Sequence, residues 1–455
     1  MLPENILLEI FDFYRLDAMV LSWERLWKWH HLAHVCRKWR HVISMSPRRL
    51  YLRILCENGA PIESILCSWP TIPLIVRIGA TRLSELPRSV VVALRHPERL
   101  CKIDFVTSSM TGSIVEAMQN LKPCRALESI RITIKHATGP SILVRNGFLG
   151  GSAPHLREIK LDGISFPFPA IQQVLLSTNN LVELHLSKIP NDVYFSPEDL
   201  VTGLSTSVQL KRLIIHFHSP ASCPPSSMTR PPPQRTSLPS LAFLDFYGTS
   251  KYLEEFVTRI DSPALYKICI KLFNDIIFEI PQFCEFISRL NTPGSPTSAT
   301  VTFYLKSVQV NFLHSNFDTE YYSLQNSCIS LDWQLSFVAQ ITSQLSCLLS
   351  SVHNLIISAY LSPEVPTGEE AVDSTQWLEL FQPFTHVTKV IVWAKQLVPG
   401  ILQALVTEDM ATGVLPELTT LCLYQYRSTP SVAKAAEQLV ATRKLSGHAV
   451  HLTDR

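Results

Sequence analysis

The sequence of 455 residues has little glycine and little charge: 15 residues are Gly, and 17% are Asp, Glu, Lys or Arg. Scarce glycine excludes a collagen-like or Gly-rich linker protein. The hydrophobic share of 46% excludes wholesale disorder, because such a chain can bury enough surface to offset the entropy of ordering it. A net charge of +2 gives no reason to expect a dedicated nucleic-acid binder. The length suits about three domains or one long repeat array.

Signals for export, membrane insertion and disulfide bonding are missing as well. The start, Met-Leu-Pro-Glu-Asn, has neither the basic region nor the apolar run of a signal peptide. No stretch of about 18 apolar residues occurs. The 11 cysteines form no C-x-x-C pair, which is typical of reduced, buried thiols. We therefore expect an intracellular protein of the cytoplasm or nucleus that has no membrane partner.

Motifs of the common enzyme classes are also missing. The sequence contains no G-x-x-x-x-G-K-[ST] or G-x-G-x-x-G phosphate loop, no G-x-S-x-G elbow and no H-E-x-x-H zinc helix. We therefore expect no catalytic residue and no cofactor. The alternative, a hydrolase or transferase hidden in the chain, has no residues to which the chemistry can be assigned.

Two apolar stripes near the N-terminus predict helices. The first helix begins near Pro3, and its apolar face consists of Ile6, Leu7, Ile10, Phe11 and Tyr14. The second stripe has a period of about 3.6 residues, which predicts one continuous helix. This stripe consists of Leu32, Val35, Cys36, Trp39, Val42 and Ile43, and Ser46-Pro47 ends it.

Two clusters around the second stripe each allow two interpretations. His30 and His34 lie one helical turn apart and could bind zinc with Cys36, but no second ligand pair stands nearby, so we expect no metal site. A basic cluster could contact nucleic acid or act as a localisation signal. The apolar stripe within the same segment favours a solvated or partner-facing helix surface instead. The basic cluster consists of Arg37, Lys38, Arg40, Arg48, Arg49 and Arg53.

A six-residue pattern, apolar at its first, fourth and sixth positions, recurs about every 25–30 residues with helical patterns between the copies. Clear copies begin at Leu100, Leu127, Leu156, Leu181, Leu210, Leu241 and Leu265. Weaker copies begin at Leu305, Cys328, Val352, Val387 and Leu418. Repeated strand–helix units predict an α/β fold, a leucine-rich-repeat-like horseshoe in which parallel strands alternate with helices.

The patterns divide the chain into four predicted regions. Residues 1–50 form a helical domain, residues 51–99 contain connecting helices and the first strand, residues 100–430 form the solenoid, and residues 431–455 form a capping helix and tail. Loop insertions are predicted at residues 219–239, 291–299 and 362–374. The first insertion is proline-rich and is either a bare loop or a polyproline II ligand. The third is acidic and is predicted to be solvated.

The N-terminal residues resemble an F-box. The segment LPENILLEIF at Leu2–Phe11 resembles its opening, and LAHVCRKWR at Leu32–Arg40 resembles its V-C-[RK]-x-W segment. Further on, GAPI at Gly59–Ile62 and the pair Trp69-Pro70 resemble fungal F-box proteins with degenerate leucine-rich repeats, which are abundant in mushroom-forming fungi. The resemblance covers roughly residues 1–130, and it departs from the family in a longer, tryptophan-rich interval between the two F-box segments.

This resemblance implies a function. F-box proteins dock onto the Skp-type adaptor of a cullin–RING ubiquitin ligase, and their repeats hold the protein that is ubiquitinated. We therefore expect a non-catalytic substrate-recognition subunit of an SCF-type ligase with an unknown client protein. The alternative is a repeat-based interaction scaffold without the ligase. By the resemblance, adaptor contacts are expected at Leu2, Pro3, Ile6, Leu7, Ile10, Leu32, Val35 and Trp39.

The client would bind the concave face of the predicted horseshoe. Because side chains alternate along a strand, the fourth and sixth positions of each unit point into the core, and the third, fifth and seventh positions face outward. The expected client-binding residues are Glu158, Lys160, Asp162, Glu183, His185, Arg212, Phe243, Asp245 and Tyr247. Apolar Ile391 and Trp393 occupy similar positions and indicate either a binding patch or sheet covered by a loop.

Overall fold

The computed structural model describes residues 2–13, 28–46, 53–57, 62–79, 86–108, 116–118, 120–135, 147–164, 167–222, 234–273, 279–290, 295–313, 320–360, 374–407, 413–424, 430–445 and 447–454. The fold is α/β, with 14 α-helices in these ranges and mostly parallel strands, and it is compatible with a repeat-like solenoid. The chain divides into two compact units. Unit 1 contains Met1–His218 and Thr236–Leu238, and unit 2 contains Ser219–Arg235 and Pro239–Arg455.

The described residues of unit 1 form seven α-helices and a sheet of parallel strands. The helices are α1 (Glu4–Phe13), α2 (Lys28–Val35), α3 (Arg37–Met45), α4 (Ile62–Ser68), α5 (Arg88–Leu94), α6 (Phe168–Ser177) and α7 (Pro197–Leu204). The strands are β1 (Ile54–Cys56), β2 (Leu74–Ile78), β3 (Leu100–Thr107), β4 (Ser129–Ile134), β5 (Glu158–Asp162), β6 (Glu183–Ile189), β7 (Arg212–Phe217) and the short β8 (Thr236–Ser237). Strands β1 to β7 pair in chain order, and every pairing is parallel.

The alternation predicted for the clear repeats is confirmed in β4 and β5 of unit 1, whereas Asp104 in β3 and Ile214 in β7, at positions predicted to face outward, are buried. In β5, Ile159 and Leu161 are buried, whereas Glu158, Lys160 and Asp162 are partly exposed. The leucines at the first position of each clear repeat in unit 1 are fully buried; they are Leu100, Leu127, Leu156, Leu181 and Leu210. Parallel pairing in register stacks these equivalent positions from one repeat to the next, so each repeat covers the apolar side of the neighbouring repeat.

The start of α7 shows how local sequence determines an element boundary. The hydroxyl of Ser196 accepts a hydrogen bond from the backbone N–H of Asp199 at 3.0 Å, and the carboxylate of Asp199 accepts one from the backbone N–H of Ser196 at 3.1 Å. Pro197 follows at the first helical position, where a missing N–H costs nothing. This capping box satisfies two N–H groups that the helix itself cannot pair.

The prediction of one continuous helix over residues 32–43 is wrong. Cys36 has extended backbone angles, φ −159° and ψ 171°, and separates α2 from α3. The extended residue changes the helical phase, so the two halves of the stripe point in different directions. Leu32 belongs to the core of α2 and Ile43 to that of α3, while Val35 stands 59% exposed beside the break.

In the part of unit 2 that the structure describes, there are seven further α-helices and ten strands. The helices are α8 (Ser250–Thr258), α9 (Pro281–Ser288), α10 (Leu331–Gln344), α11 (Ser346–Leu349), α12 (Ser374–Phe381), α13 (Val398–Thr407) and α14 (Pro430–Leu445). The strands are β9 (Phe243–Gly248), β10 (Ile260–Asp261), β11 (Lys267–Leu272), β12 (Ser298–Tyr304), β13 (Ser307–Leu313), β14 (Glu320–Asn326), β15 (Asn354–Tyr360), β16 (Lys389–Val392), β17 (Thr420–Leu423) and β18 (His451–Asp454). Nine of them form a sheet in the order β9-β11-β14-β13-β12-β15-β16-β17-β18.

Strand β13 departs from the predicted parallel array. It pairs antiparallel with both β12 and β14, whereas the repeat pattern at Leu305 predicts a parallel strand. The reason is the connection: only Leu305 and Lys306 separate β12 from β13, and a two-residue loop can join antiparallel strands but not parallel ones. The strand order therefore reverses locally, and β15 pairs with β12.

The weak repeat copy at Cys328 is wrong as a strand. The segment turns and enters α10, where the hydroxyl of Ser330 accepts a hydrogen bond from the backbone N–H of Trp333 at 3.3 Å. A serine cap outweighs a short apolar pattern because it pairs an N–H group of the helix start, and the negative charge of Asp332 in the first turn is favoured by the helix dipole.

Regions predicted as loops or tail contain further elements. β18, in the C-terminal tail, pairs parallel with β17, where Thr420 lies opposite His451. β12 begins at Ser298, inside the predicted insertion at residues 291–299. Residues 223–233 of the proline-rich insertion and residues 362–373 of the acidic insertion lie outside the described residues.

Leu184 and His185 test the register of β6. Leu184 is fully buried, so Leu184→Ala should lower the free energy of unfolding by about 2–5 kcal/mol through lost burial and a residual cavity. His185 faces the opposite side and is half-buried, so His185→Ala should cost less than about 1 kcal/mol. Urea denaturation of both variants measures the difference. Equal losses would contradict a one-sided strand.

Candidate functional site

The three N-terminal helices of unit 1, α1, α2 and α3, are joined by side-chain contacts. The rings of Phe11 in α1 and Trp39 in α3 meet edge to face with centroids 4.9 Å apart. The ammonium of Lys38 donates a hydrogen bond to the backbone carbonyl of Leu2 at 2.6 Å. The guanidinium of Arg40 donates to the carbonyl of Ala33 at 3.1 Å. These contacts hold the start of α1 against α3 and join α3 to α2.

The eight expected adaptor residues divide into two groups. Leu7 and Leu32 are only 2% and 6% exposed and belong to the core of the chain itself. The other six keep apolar surface accessible, with Leu2 and Val35 being 50% and 59% exposed. We call these six residues the N-terminal apolar surface; they are Leu2, Pro3, Ile6, Ile10, Val35 and Trp39.

Charged side chains on the polar face of the unit 1 sheet form a ladder across β4 to β7. The carboxylate of Glu158 lies 3.5 Å from Arg131 and 2.7 Å from Lys160. Lys160 also reaches Glu183 at 3.2 Å, and Glu183 lies 3.6 Å from Arg212. Glu158 and Glu183 are directly opposite each other in the strand register, and Lys160 offsets their repulsion by contacting both. We call these five residues the charge ladder.

The environment of Glu158 keeps it ionised. Burial by itself raises the pKa of this carboxyl. Hydrogen bonds from Lys160 and Ser129, the latter at 2.9 Å, and the charges of Lys160 and Arg131 outweigh burial, so the pKa lies below its ordinary value. The ladder is therefore a set of charges already paired with one another, and a partner has to match this pattern to gain from it.

The other client residues expected in unit 1 lie on the same face. Asp162 pairs with Lys188 at 3.1 Å. The rings of His185 and His216 meet edge to face with centroids 6.1 Å apart. Burial, and secondly His216, lowers the pKa of His185, which favours the uncharged imidazole at neutral pH.

The last three expected client residues lie on β9 in unit 2. Phe243, Asp245 and Tyr247 are partly exposed on one face of that strand. The ammonium of Lys267 lies 5.9 Å from the ring centroid of Phe243, and Tyr247 packs on Phe273 at 4.6 Å. The structure thus places the nine predicted residues on polar strand faces of two separate units, six in unit 1 and three in unit 2.

A groove in unit 1 was missed by the sequence patterns. It has a volume of about 620 Å³ and is lined by residues just before or at the start of the strands, among them Arg53, Arg99, Glu128 and Arg157. Arg53 pairs with Glu128 at 3.6 Å. Arg99 donates hydrogen bonds to the carbonyls of Trp69 at 2.6 Å and Ile72 at 2.8 Å, so this guanidinium stabilises the loop before β2. The repeat pattern ignores these positions because it records only apolar residues.

Cys101 also lines this groove, and its thiol is unsuited to nucleophilic chemistry. Burial raises its pKa to about 11, so the thiol stays protonated at neutral pH. The sulfur lies 3.2 Å from the carbonyl of Leu74, to which it donates. Burial raises the pKa of Cys56 and Cys124 to about 12 in the same way.

The described residues form neither a metal site nor a membrane-spanning helix. No group of three His, Cys, Asp or Glu side chains there is placed to hold a metal ion. In the possible zinc cluster of the sequence, His34 and Cys36 are exposed, and the side chain of His30 lies outside the described part of the chain. Arg48 and Arg49 of the basic cluster also lie outside it. No described helix is both long and apolar enough to cross a bilayer.

Comparison with known proteins gives no assignment: no family model matches the chain, and no curated protein matches its sequence. The likeness to F-box proteins therefore depends on the motif residues at Leu2–Phe11 and Leu32–Arg40.

The charge ladder predicts a pH-dependent stability. Because the folded-state pKa of Glu158 is lowered, its contribution is present above the unfolded value of about 4.3 and is lost as the pH falls through the folded value. Glu158→Gln should therefore cost about 1 kcal/mol at neutral pH and progressively less in acid. Urea denaturation at pH values from neutral to below about 4.3 measures the loss of unfolding free energy.

Glu63→Gln provides the matched control. Glu63 pairs with Arg88 at 2.9 Å, but both side chains are mostly exposed, so the pair contributes little. A pH-independent loss in Glu158→Gln, or an equal loss in the control, would contradict the ionised ladder.

Proposed function

We propose that the chain is the substrate-recognition subunit of an SCF-type cullin–RING ubiquitin ligase and is itself not catalytic. Its N-terminal helices would dock onto the Skp-type adaptor, and its leucine-rich-type repeats would hold the client protein. One observation carries the proposal: six of the eight F-box-like residues leave apolar surface accessible on or directly before three short helices, of which α3 contacts both α1 and α2.

The N-terminal helices are short and keep apolar side chains exposed. They contain 10, 8 and 9 residues, lengths at which isolated helices are marginal in water. Exposed Leu2 and Val35 gain nothing from the hydrophobic effect unless a partner covers them. A hydrophobic groove that receives a helix face supplies such a cover.

The start of α1 is also pre-ordered for docking. The hydrogen bond from Lys38 holds the Leu2 carbonyl, so Leu2 and Pro3 are presented on a fixed segment. A pre-ordered segment loses less conformational entropy on binding than a free chain end, and the apolar contacts then contribute more fully to affinity.

The repeat face suits a protein client. Each strand adds one row of outward side chains in register with the next, which builds an extended surface from short units. Because the ladder charges are already paired, they would contribute selectivity against mismatched partners more than raw affinity. This property fits a receptor that must choose one client.

The second candidate is a repeat-based interaction scaffold without the ligase. It is favoured by the burial of Leu7 and Leu32, two of the eight residues expected at the adaptor, inside the chain itself. In that case the N-terminal helices would cap the repeats or bind a different partner.

A double substitution separates the two candidates. Pro3→Ala with Ile6→Ala truncates two residues of the N-terminal apolar surface. Truncation of packed interface anchors costs about 2–4 kcal/mol of binding free energy, so adaptor affinity should fall about 30- to 1,000-fold. Co-purification of the full chain with a Skp-type adaptor measures retention.

The control truncates exposed apolar residues elsewhere in unit 1. Leu176 and Val208 are 43% and 45% exposed, and Leu176→Ala with Val208→Ala should leave co-purification unchanged. If the wild type fails to retain the adaptor, or Pro3→Ala with Ile6→Ala retains it fully, the ligase assignment is wrong and the scaffold is favoured.

A further inference from the structure

Four aromatic residues stand at the carboxyl ends of four adjacent strands in unit 2. Strands β12, β15, β16 and β17 are neighbours and run parallel. Tyr304 and Tyr360 end β12 and β15 in register, and Trp393 and Tyr424 directly follow β16 and β17. We call these four residues the aromatic patch.

The aromatic patch lies on the sheet face opposite the core. The residue before Tyr304, Trp393 and Tyr424 is fully or nearly fully buried in each case; these residues are Phe303, Val392 and Leu423. Because side chains alternate along a strand, the aromatic rings point to the other side.

The rings form two contacting pairs that are open to solvent. Tyr304 and Tyr360 stack with centroids 5.5 Å apart and planes 15° apart, and Trp393 meets Tyr424 at 6.2 Å. Tyr360 is 68% exposed, Trp393 44% and the neighbouring Leu305 46%. Ring contacts fix the side chains in place while leaving this apolar surface uncovered.

Two lysines flank the aromatic patch. Lys306 and Lys395 follow Tyr304 and Trp393 by two residues, and both are exposed. Neither has an ion-pair partner among the described residues. The surface therefore combines rigid aromatic contact area with two exposed lysines.

These properties define the chemistry of an occupant. Small molecules prefer concave pockets, whereas a sheet face with exposed Tyr and Trp resembles the anchor regions of protein interfaces. Carboxylates would be attracted to the two lysines, and additional basic groups would be repelled. A single-stranded nucleic acid would also stack on aromatic rings, but two lysines beside the aromatic patch can contact few phosphates and so release few counterions to drive such binding.

We propose that the aromatic patch binds a peptide segment of the client that carries aromatic or branched aliphatic side chains flanked by Asp or Glu. The assignment of this peptide to a ubiquitination client rests on the function proposed above, while the peptide chemistry rests on the aromatic patch and its lysines. Apolar side chains of the segment pack on Tyr360 and Trp393, and its carboxylates pair with Lys306 and Lys395.

The test uses the purified full chain and a phage-displayed library of short random peptides. Selection on the wild type should enrich peptides with aromatic or aliphatic anchors and acidic flanks. Tyr360→Ala with Trp393→Ala should lose this enrichment, and a fluorescein-labelled selected peptide should bind this variant about tenfold or more weakly by anisotropy. Lys306→Glu with Lys395→Glu should disfavour acidic flanks.

The matched control substitutes the same residue types elsewhere in unit 2. Tyr266 and Trp333 are 48% and 50% exposed, and Tyr266→Ala with Trp333→Ala should select and bind the same peptides as the wild type. Equal thermal unfolding temperatures of the two double variants exclude misfolding as the cause of lost binding.

Three outcomes would overturn the inference. They are enrichment of basic peptides, peptide binding that survives Tyr360→Ala with Trp393→Ala, and tighter binding of a labelled oligo-dT that depends on the same two residues. Adaptor co-purification with this variant keeps the two proposals distinguishable. In this variant, adaptor retention with unchanged peptide binding would refute only the aromatic patch. A wild-type chain that binds the selected peptides but retains no adaptor would refute only the ligase assignment.

Discussion

No strand–helix repeat of this protein can bury its own apolar side. The remaining structure depends on the stacking of neighbouring repeats, which buries these apolar sides against one another. Leucines at the first position and aliphatic residues at the fourth and sixth positions stack in register, as Ile159 does on Leu184. A shift of one residue would expose the whole apolar set of a strand, so the pattern determines which face is buried. Stability is therefore distributed over many similar contacts rather than concentrated in one core.

Fixing one face of each strand leaves the other face free to vary in chemistry. In unit 1 this face carries the charge ladder, in which Lys160 links two carboxylates. In unit 2 the same alternation presents Tyr360 and Trp393 instead. The two units thus offer different recognition chemistries from the same backbone arrangement, and neither chemistry disturbs the buried side.

The antiparallel strand β13 shows how the sheet tolerates an interruption. Its polar residues are satisfied by neighbours: the amide of Gln309 donates to Asn311 and to the hydroxyl of Ser323, both at 2.9 Å. The amide of buried Gln334 in α10 donates to the carbonyl of Tyr304 at 2.9 Å. These hydrogen bonds pair the amide N–H groups of Gln309 and Gln334 where the hairpin meets its neighbours.

The sequence by itself determined the α/β class, the clear repeats and the buried leucine at the first position of each of them, because periodicity and burial are both local consequences of side-chain alternation. Local chemistry also defined the start of α7 through Ser196 and Asp199. These features need no knowledge of distant residues.

Tertiary structure alone decided the features that depend on distant partners or on short segments. The break at Cys36, the reversed β13 and the addition of β18 to the sheet follow from packing and connection length, to which an apolar pattern is blind. The charge ladder arises because residues of four strands meet across the sheet register, as Glu158 and Glu183 do. The aromatic patch arises in the same way, since its members lie far apart in the chain and only strand pairing brings them to one surface.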